Sequence, residues 1–83
     1  MSFMTQIAIS KGNAKYDNRH DVLHVFLAPA KPYYGDEDYP GIVINRAVED
    51  ESTIGLTILD FKKRNPKMLA EKLPNYDFSH VWE

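Results

Sequence analysis

Val22 to Leu27 is built almost wholly from β-favouring apolar residues, with His24 as the single polar interruption. It reads as a strand that puts Leu23, Val25 and Leu27 on one face and Val22, His24 and Phe26 on the other. Apolar residues on both faces place it inside a sheet, or beneath a covering element. Thr53 to Leu59 follows the same period of two, with Ile54, Leu56 and Ile58 on one face and Gly55, Thr57 and Leu59 on the other. A glycine in the middle of such a run marks a bulge or a close approach of two backbones. Phe3 to Ile9 alternates as well, so Phe3, Thr5, Ile7 and Ile9 share one face of a half-buried strand. Ala14 to Asp17 and Gly41 to Asn45 read as shorter strands. Between them, Lys11-Gly12-Asn13, Asp17 to Asp21 and Glu49 to Ser52 carry turn chemistry.

Ala28 to Pro40 contains Pro29, Pro32, Pro40, Gly35 and the run Asp36-Glu37-Asp38. Each proline removes a ladder donor, so no central strand fits, and the segment is expected to be a long loop. After Leu59 the period changes. Asn65 is suited to cap a helix, and Pro66 stands at the first helical position, where its missing N–H costs nothing. Lys67 to Leu73 are good helix formers; Met68, Leu69 and Leu73 are expected to form its buried stripe, and Pro74-Asn75 to end it. Tyr76, Phe78, Val81 and Trp82 crowd the last eight positions. A tail so apolar packs on the sheet or on a partner. Strands in sequence without helical crossovers, followed by one helix, define a small α+β domain. The expectation is an antiparallel meander of four or five strands with the C-terminal helix on one face, as a single domain over residues 1–83.

Length agrees with this. With 83 residues the chain makes one domain and buries only about 60–65% of its unfolded surface, which leaves little room for a deep pocket. The absence of cysteine excludes a disulfide framework, a thiolate metal site and a thiol nucleophile. No apolar run approaches the length of a membrane span, and Met1 to Gln6 lacks the basic lead of a signal peptide, so a cytoplasmic protein is expected. A net charge of −2 argues against broad nucleic-acid binding, which rests on neutralising phosphates. The local exception is Lys62, Lys63, Arg64 and Lys67.

Tyr16-Asp17, Asp21-Val22-Leu23-His24-Val25, Gly41-Ile42-Val43-Ile44 and Ile54-Gly55-Leu56-Thr57-Ile58-Leu59-Asp60 stand in the order and near the spacing of one known pattern. Over about residues 14–60 the chain resembles the YuzE-like family, small bacterial proteins filed as a domain of unknown function. His24 stands where that family often has Tyr, Thr57 where it often has Glu, and the turn from Asn45 to Thr53 is longer and lacks the usual Gly. The resemblance implies an α+β fold on an antiparallel sheet and no established catalysis. It also implies an antitoxin or partner role, since some members sit beside small toxin-like proteins.

The chemistry-bearing residues are sparse. His20, His24 and His80 are the histidines, and a four-residue spacing converges on a metal from a helix, not from a turn and a strand. Neither acidic run has calcium-loop spacing. The serines lie in no nucleophile elbow, and the four glycines form no phosphate loop. No catalytic, cofactor or metal residue is assigned. The leading expectation is a non-enzymatic interaction module, a homodimer or a small partner's complex, with Tyr76, Phe78 and Trp82 as candidate interface and Val22 and Phe26 as further apolar surface. The first alternative is a ligand-binding domain or enzyme using Asp17, Asp21 and His24. The second is a nucleic-acid module acting through the basic run at 62–67.

Overall fold

The computed structural model describes residues 7–10, 12–79 and 81. Among the described residues the strands are β1 (Ile7–Ala8), β2 (Ala14–Asp17), β3 (Val22–Phe26), β4 (Tyr33–Tyr39), β5 (Ile42–Ala47), β6 (Thr53–Leu59) and β7 (Tyr76–Asp77). A 3₁₀ turn at Phe61–Lys63 and the helix α1 (Pro66–Lys72) lie between β6 and β7. Five strands form one sheet in the order β2-β3-β6-β5-β4, antiparallel throughout. Strands β4, β5 and β6 run as a meander, and residues 27–32 carry the chain across the sheet so that β6 returns beside β3. Three consecutive strands and a fourth brought back beside them make a Greek key. The expected strand over Phe3 to Ile9 appears as β1, which pairs in parallel with β7; Phe3 to Gln6 lie outside the described residues.

The expected loop over Ala28 to Pro40 is corrected for its second half. Tyr33–Tyr39 is a strand at the sheet's edge, paired on one side to β5. An edge strand needs only one row of ladder bonds, and Pro32 and Pro40 fall just outside its ends, where they interrupt nothing. Its acidic side chains are tolerated because the strand is mostly exposed.

Leu23 and Val25 on β3, Leu56 and Ile58 on β6, and Ile42 on β5 point to one side of the sheet and are buried. Ile9, Phe61, Leu69, Leu73 and Phe78 close over them as a single cluster. The Asn65 side chain accepts a hydrogen bond from the Lys67 amide at 2.8 Å and caps α1, with Pro66 in the first turn. Seven residues make too short a helix to stand alone, so α1 is held by Leu69 and Leu73, one turn apart on its buried face. Met68 does not join that stripe. It is 53% exposed, because it sits one position, and so about 100°, away from Leu69.

Gly55 marks a bulge. Asn45 pairs with Gly55 and Arg46 with Thr53, leaving Ile54 as the extra residue of β6. The Ile54 carbonyl accepts instead from Leu27 N–H at 2.9 Å. A Cβ at Gly55 would stand 2.5 Å from the Val25 carbonyl oxygen, so any side chain there forces β3 and β6 apart. Gly55→Ala is expected to cost about 1–3 kcal/mol in chemical denaturation, as other overpacked sites do. A loss below about 0.5 kcal/mol would show that the strands move apart freely.

Candidate interaction surface

The second face of the sheet is the opposite of the first. The register sets Lys15, His24, Thr57, Val43 and Glu37 side by side across all five strands. The neighbouring row on the same face is Phe26, Gly55, Asn45 and Gly35. Val22 and Leu59 pair beyond them. Phe26 is 59% exposed and Leu59 41%. Among the described residues the buried side chains of the 3₁₀ turn, α1 and the tail (Phe61, Leu69, Leu73 and Phe78) all belong to the cluster on the other face. Because Gly55 carries no side chain, the face is hollowed beside Phe26. The hollow has a volume of about 170 Å³ and is lined by Phe26, Asn45, Gly55 and Thr57 of the sheet and by Ala28 and Ala30 of the 27–32 crossover, among others. Within it the Asn45 amide donates to the Thr57 hydroxyl at 3.3 Å.

The structure does not gather Asp17, Asp21 and His24 into one site. Asp17 and His24 line a shallow hollow with Lys15, Tyr16 and Asn18. The Asp17 carboxylate, however, accepts from the Arg19 and His20 amides at 3.0 and 3.2 Å and pairs with His20 Nδ1 at 2.9 Å, closing the β2–β3 turn. Those bonds, the His20 side chain first, hold Asp17 below the usual carboxylate range. Asp21 is turned towards the covered side. Its backbone is left-handed, with φ 55°, and its carboxylate accepts from Lys62 N–H at 3.0 Å and from the Tyr16 hydroxyl at 2.7 Å. Its carbonyl accepts from Phe61 N–H at 3.1 Å. Asp21 therefore ties the first hairpin to the 3₁₀ turn. The Lys62 amide, then the Tyr16 hydroxyl, lower its pKa, and the same bond pushes Tyr16 up to about 12.

The sign of the resulting pH dependence is fixed. Asp17, Asp21 and Asp50 are all held below their ordinary value in the fold, Asp50 chiefly by the Ser52 hydroxyl. Their stabilisation is present above the unfolded carboxylate range and is lost as pH falls through the lowered folded values. The melting temperature is expected to fall as pH drops below about 4, and less so in Asp21→Asn. A melting temperature that is flat through that range would contradict the clamp.

The basic run is dispersed. Lys62 Nζ lies 4.8 Å above the Tyr16 ring, and Lys63 sits 3.9 Å from Asp60. Arg64 donates to the carbonyls of Leu59 at 2.7 Å and Pro40 at 2.9 Å, pinning the β4–β5 turn to the end of β6. Gly41, at φ 79°, leaves the space that the guanidinium fills. The acidic runs are tied into the same frame: Arg46 bonds Asp36 at 3.0 Å, Lys31 bonds Glu49 at 2.9 Å, and Gly41 N–H donates to Glu37 at 2.8 Å. Among the described residues no three His, Asp or Glu side chains are grouped to hold a metal ion, and no helix is long and apolar enough to cross a membrane.

Of the tail residues expected at an interface, Phe78 is buried in the chain's own core. Its ring lies 6.3 Å from Phe61 at 55°. Tyr76 is half-buried in β7, 6.4 Å from Phe78, and Trp82 lies outside the described residues. The tail packs because β7 gains a ladder with β1 and Phe78 then falls over Phe61. The alternation of β6 set Thr57 and Leu59 opposite Leu56, as observed, but neither they nor Asn45 on β5 were named as interface candidates from the sequence.

Comparison with family models, with curated proteins and with solved structures returns no match.

Proposed function

We propose that the chain is a non-enzymatic protein-interaction module that binds through the open face of its five-stranded sheet. The observation that supports this reading is the exposure of Phe26 beside the Gly55 hollow, and of Leu59 further along β6, on the face opposite the one that the 3₁₀ turn, α1 and Phe78 cover. Aromatic side chains such as that of Phe26 are enriched at protein interfaces. Of the first alternative, Asp17 and Asp21 are engaged in closing and fastening the β2–β3 turn, while His24 stands apart from them on the open face; of the second, Arg64 is engaged with the Leu59 and Pro40 carbonyls. The resemblance to the YuzE-like family adds the form this role takes, an antitoxin-like or regulatory partner in the cytoplasm.

The test is affinity capture from the source cells with the full chain and with Phe26→Asp. Phe26 is exposed, so the variant keeps the wild-type circular dichroism and melting temperature. A stoichiometric partner, a second copy of the chain included, that is retained by the wild type and lost from the variant is the expected result. Equal retention by both chains would overturn the assignment of the face.

A further inference from the structure

We propose, resting on the reading of the open face as the binding surface, that its occupant is a second copy of this chain, packed face to face about a two-fold axis that runs along β6. The charge pattern selects this arrangement. β6 is the middle strand of five. In the row through Thr57 the positive end is Lys15 on β2 and the negative end is Glu37 on β4. Rotation about an axis along β6 exchanges the two edges, so Lys15 of each copy stands over Glu37 of the other. Rotation about an axis across the strands would set Lys15 over Lys15 and Glu37 over Glu37, which like-charge repulsion disfavours. The favoured axis keeps the strands of the two sheets nearly aligned, the usual way for sheets to stack.

Shape agrees with charge. The same rotation carries Phe26 on β3 over β5 of the second copy, where Asn45 lies between Gly55 and Gly35. The hollow there is about 170 Å³. Thr57 and Leu59 lie on the axis and meet their own copies, while His24 faces Val43. Pairing through the β4 edges is disfavoured, because Asp36, Glu37 and Asp38 would oppose the same residues. Glu37 is already oriented by the Gly41 amide. The face spans four strand spacings of about 4.8 Å and roughly five residues of about 3.4 Å, some 19 by 17 Å. That is smaller than the roughly 800 Å² that each partner buries in a standard interface, so the dimer is weak.

The test is sedimentation velocity on the full chain from about 5 μM to 1 mM, the range in which a small interface associates. The wild type is expected to shift from monomer to dimer with rising concentration. Lys15→Glu and Glu37→Lys are each expected to raise Kd by about tenfold or more, and an equimolar mixture of the two to form a heterodimer within about threefold of the wild-type Kd. Phe26→Asp abolishes association. Circular dichroism verifies that each variant is folded. A wild type that stays monomeric to the top of the range overturns the dimer, while the reading of the face stands or falls on the capture experiment. A mixture no tighter than its components overturns the axis. A dimer whose Kd is indifferent to all three substitutions overturns the face-to-face geometry.

Discussion

Phe61→Ala is expected to remove about 3–5 kcal/mol of stability in denaturant unfolding, the range for truncating a fully buried phenylalanine. Phe61 is fully buried and opens the 3₁₀ turn after β6. Its ring stands 6.2 Å from Tyr16 and 6.3 Å from Phe78, in tilted geometry with both. Tyr16 belongs to the first hairpin and Phe78 to the last segment, so one side chain joins the two ends of the chain to the sheet. A domain of 83 residues has a total stability of about 4–12 kcal/mol. The variant is therefore expected to be largely unfolded near room temperature if the wild type lies at the low end. A loss below about 1 kcal/mol would mean that Tyr16 and Phe78 collapse into the space without strain.

Leu56→Ala is expected to cost about 2–5 kcal/mol, and Leu59→Ala about 0.5 kcal/mol or less. The two leucines are three positions apart on one strand, so their side chains take opposite faces. Leu56 is fully buried beside Val25 and Ile44, and Leu59 is partly exposed on the open face. The pair of measurements separates the faces without reference to any partner, provided they are made at low micromolar concentration, where the proposed dimer is dissociated. Comparable costs at both sites would contradict the assignment of one covered and one open face.

The central strands were legible because their signals are redundant. β3 combines β-branched and aliphatic residues with a period of two, and burial falls on the face that this period assigns; β6 does the same from Leu56 to Leu59, before which the bulge at Ile54 interrupts the alternation. The helix was legible from two residues, Asn65 and Pro66, whose chemistry suits a helix start and little else. β4 was not, because the rule that prolines exclude a strand holds for central strands and weakens at an edge. Its tyrosines were the contrary signal. The long turn after β3 also hid the strand order: local patterning says which residues alternate but not which strand lies beside which, and that is decided by burying Leu23 and Val25 against Leu56 and Ile58. Phe61 was illegible for a different reason. A lone aromatic between Asp60 and a run of lysines has no period, and its role is set by Asp21, some 40 positions earlier in the chain.

The candidate site was legible only as composition. Val22 and Phe26 were visible as surplus apolar residues on β3, whereas the hollow beside Phe26 depends on Gly55 falling opposite it on β6, which only the register reveals. Asp17 and Asp21 show the opposite case. Both carry catalytic side-chain types, yet each is used up in local geometry, one closing a turn and the other fastening it to a later segment.

The parallel pairing of β1 with β7 bears on how the molecule reaches its fold. Ile9 and Phe78 share one core but are separated by nearly the whole chain, and β3 finds its partner β6 only after two other strands have been made. Contacts so distant in sequence require large loops to close before they are rewarded, which slows folding. A nascent chain on the ribosome can form the β2–β3 hairpin and then the β4–β5–β6 meander as each emerges, but the core stays unsealed until residue 78 is free. Until then Leu23, Val25, Leu56 and Ile58 lie bare, and the interval between translation of β6 and release of β7 is the time in which this chain is most exposed to aggregation.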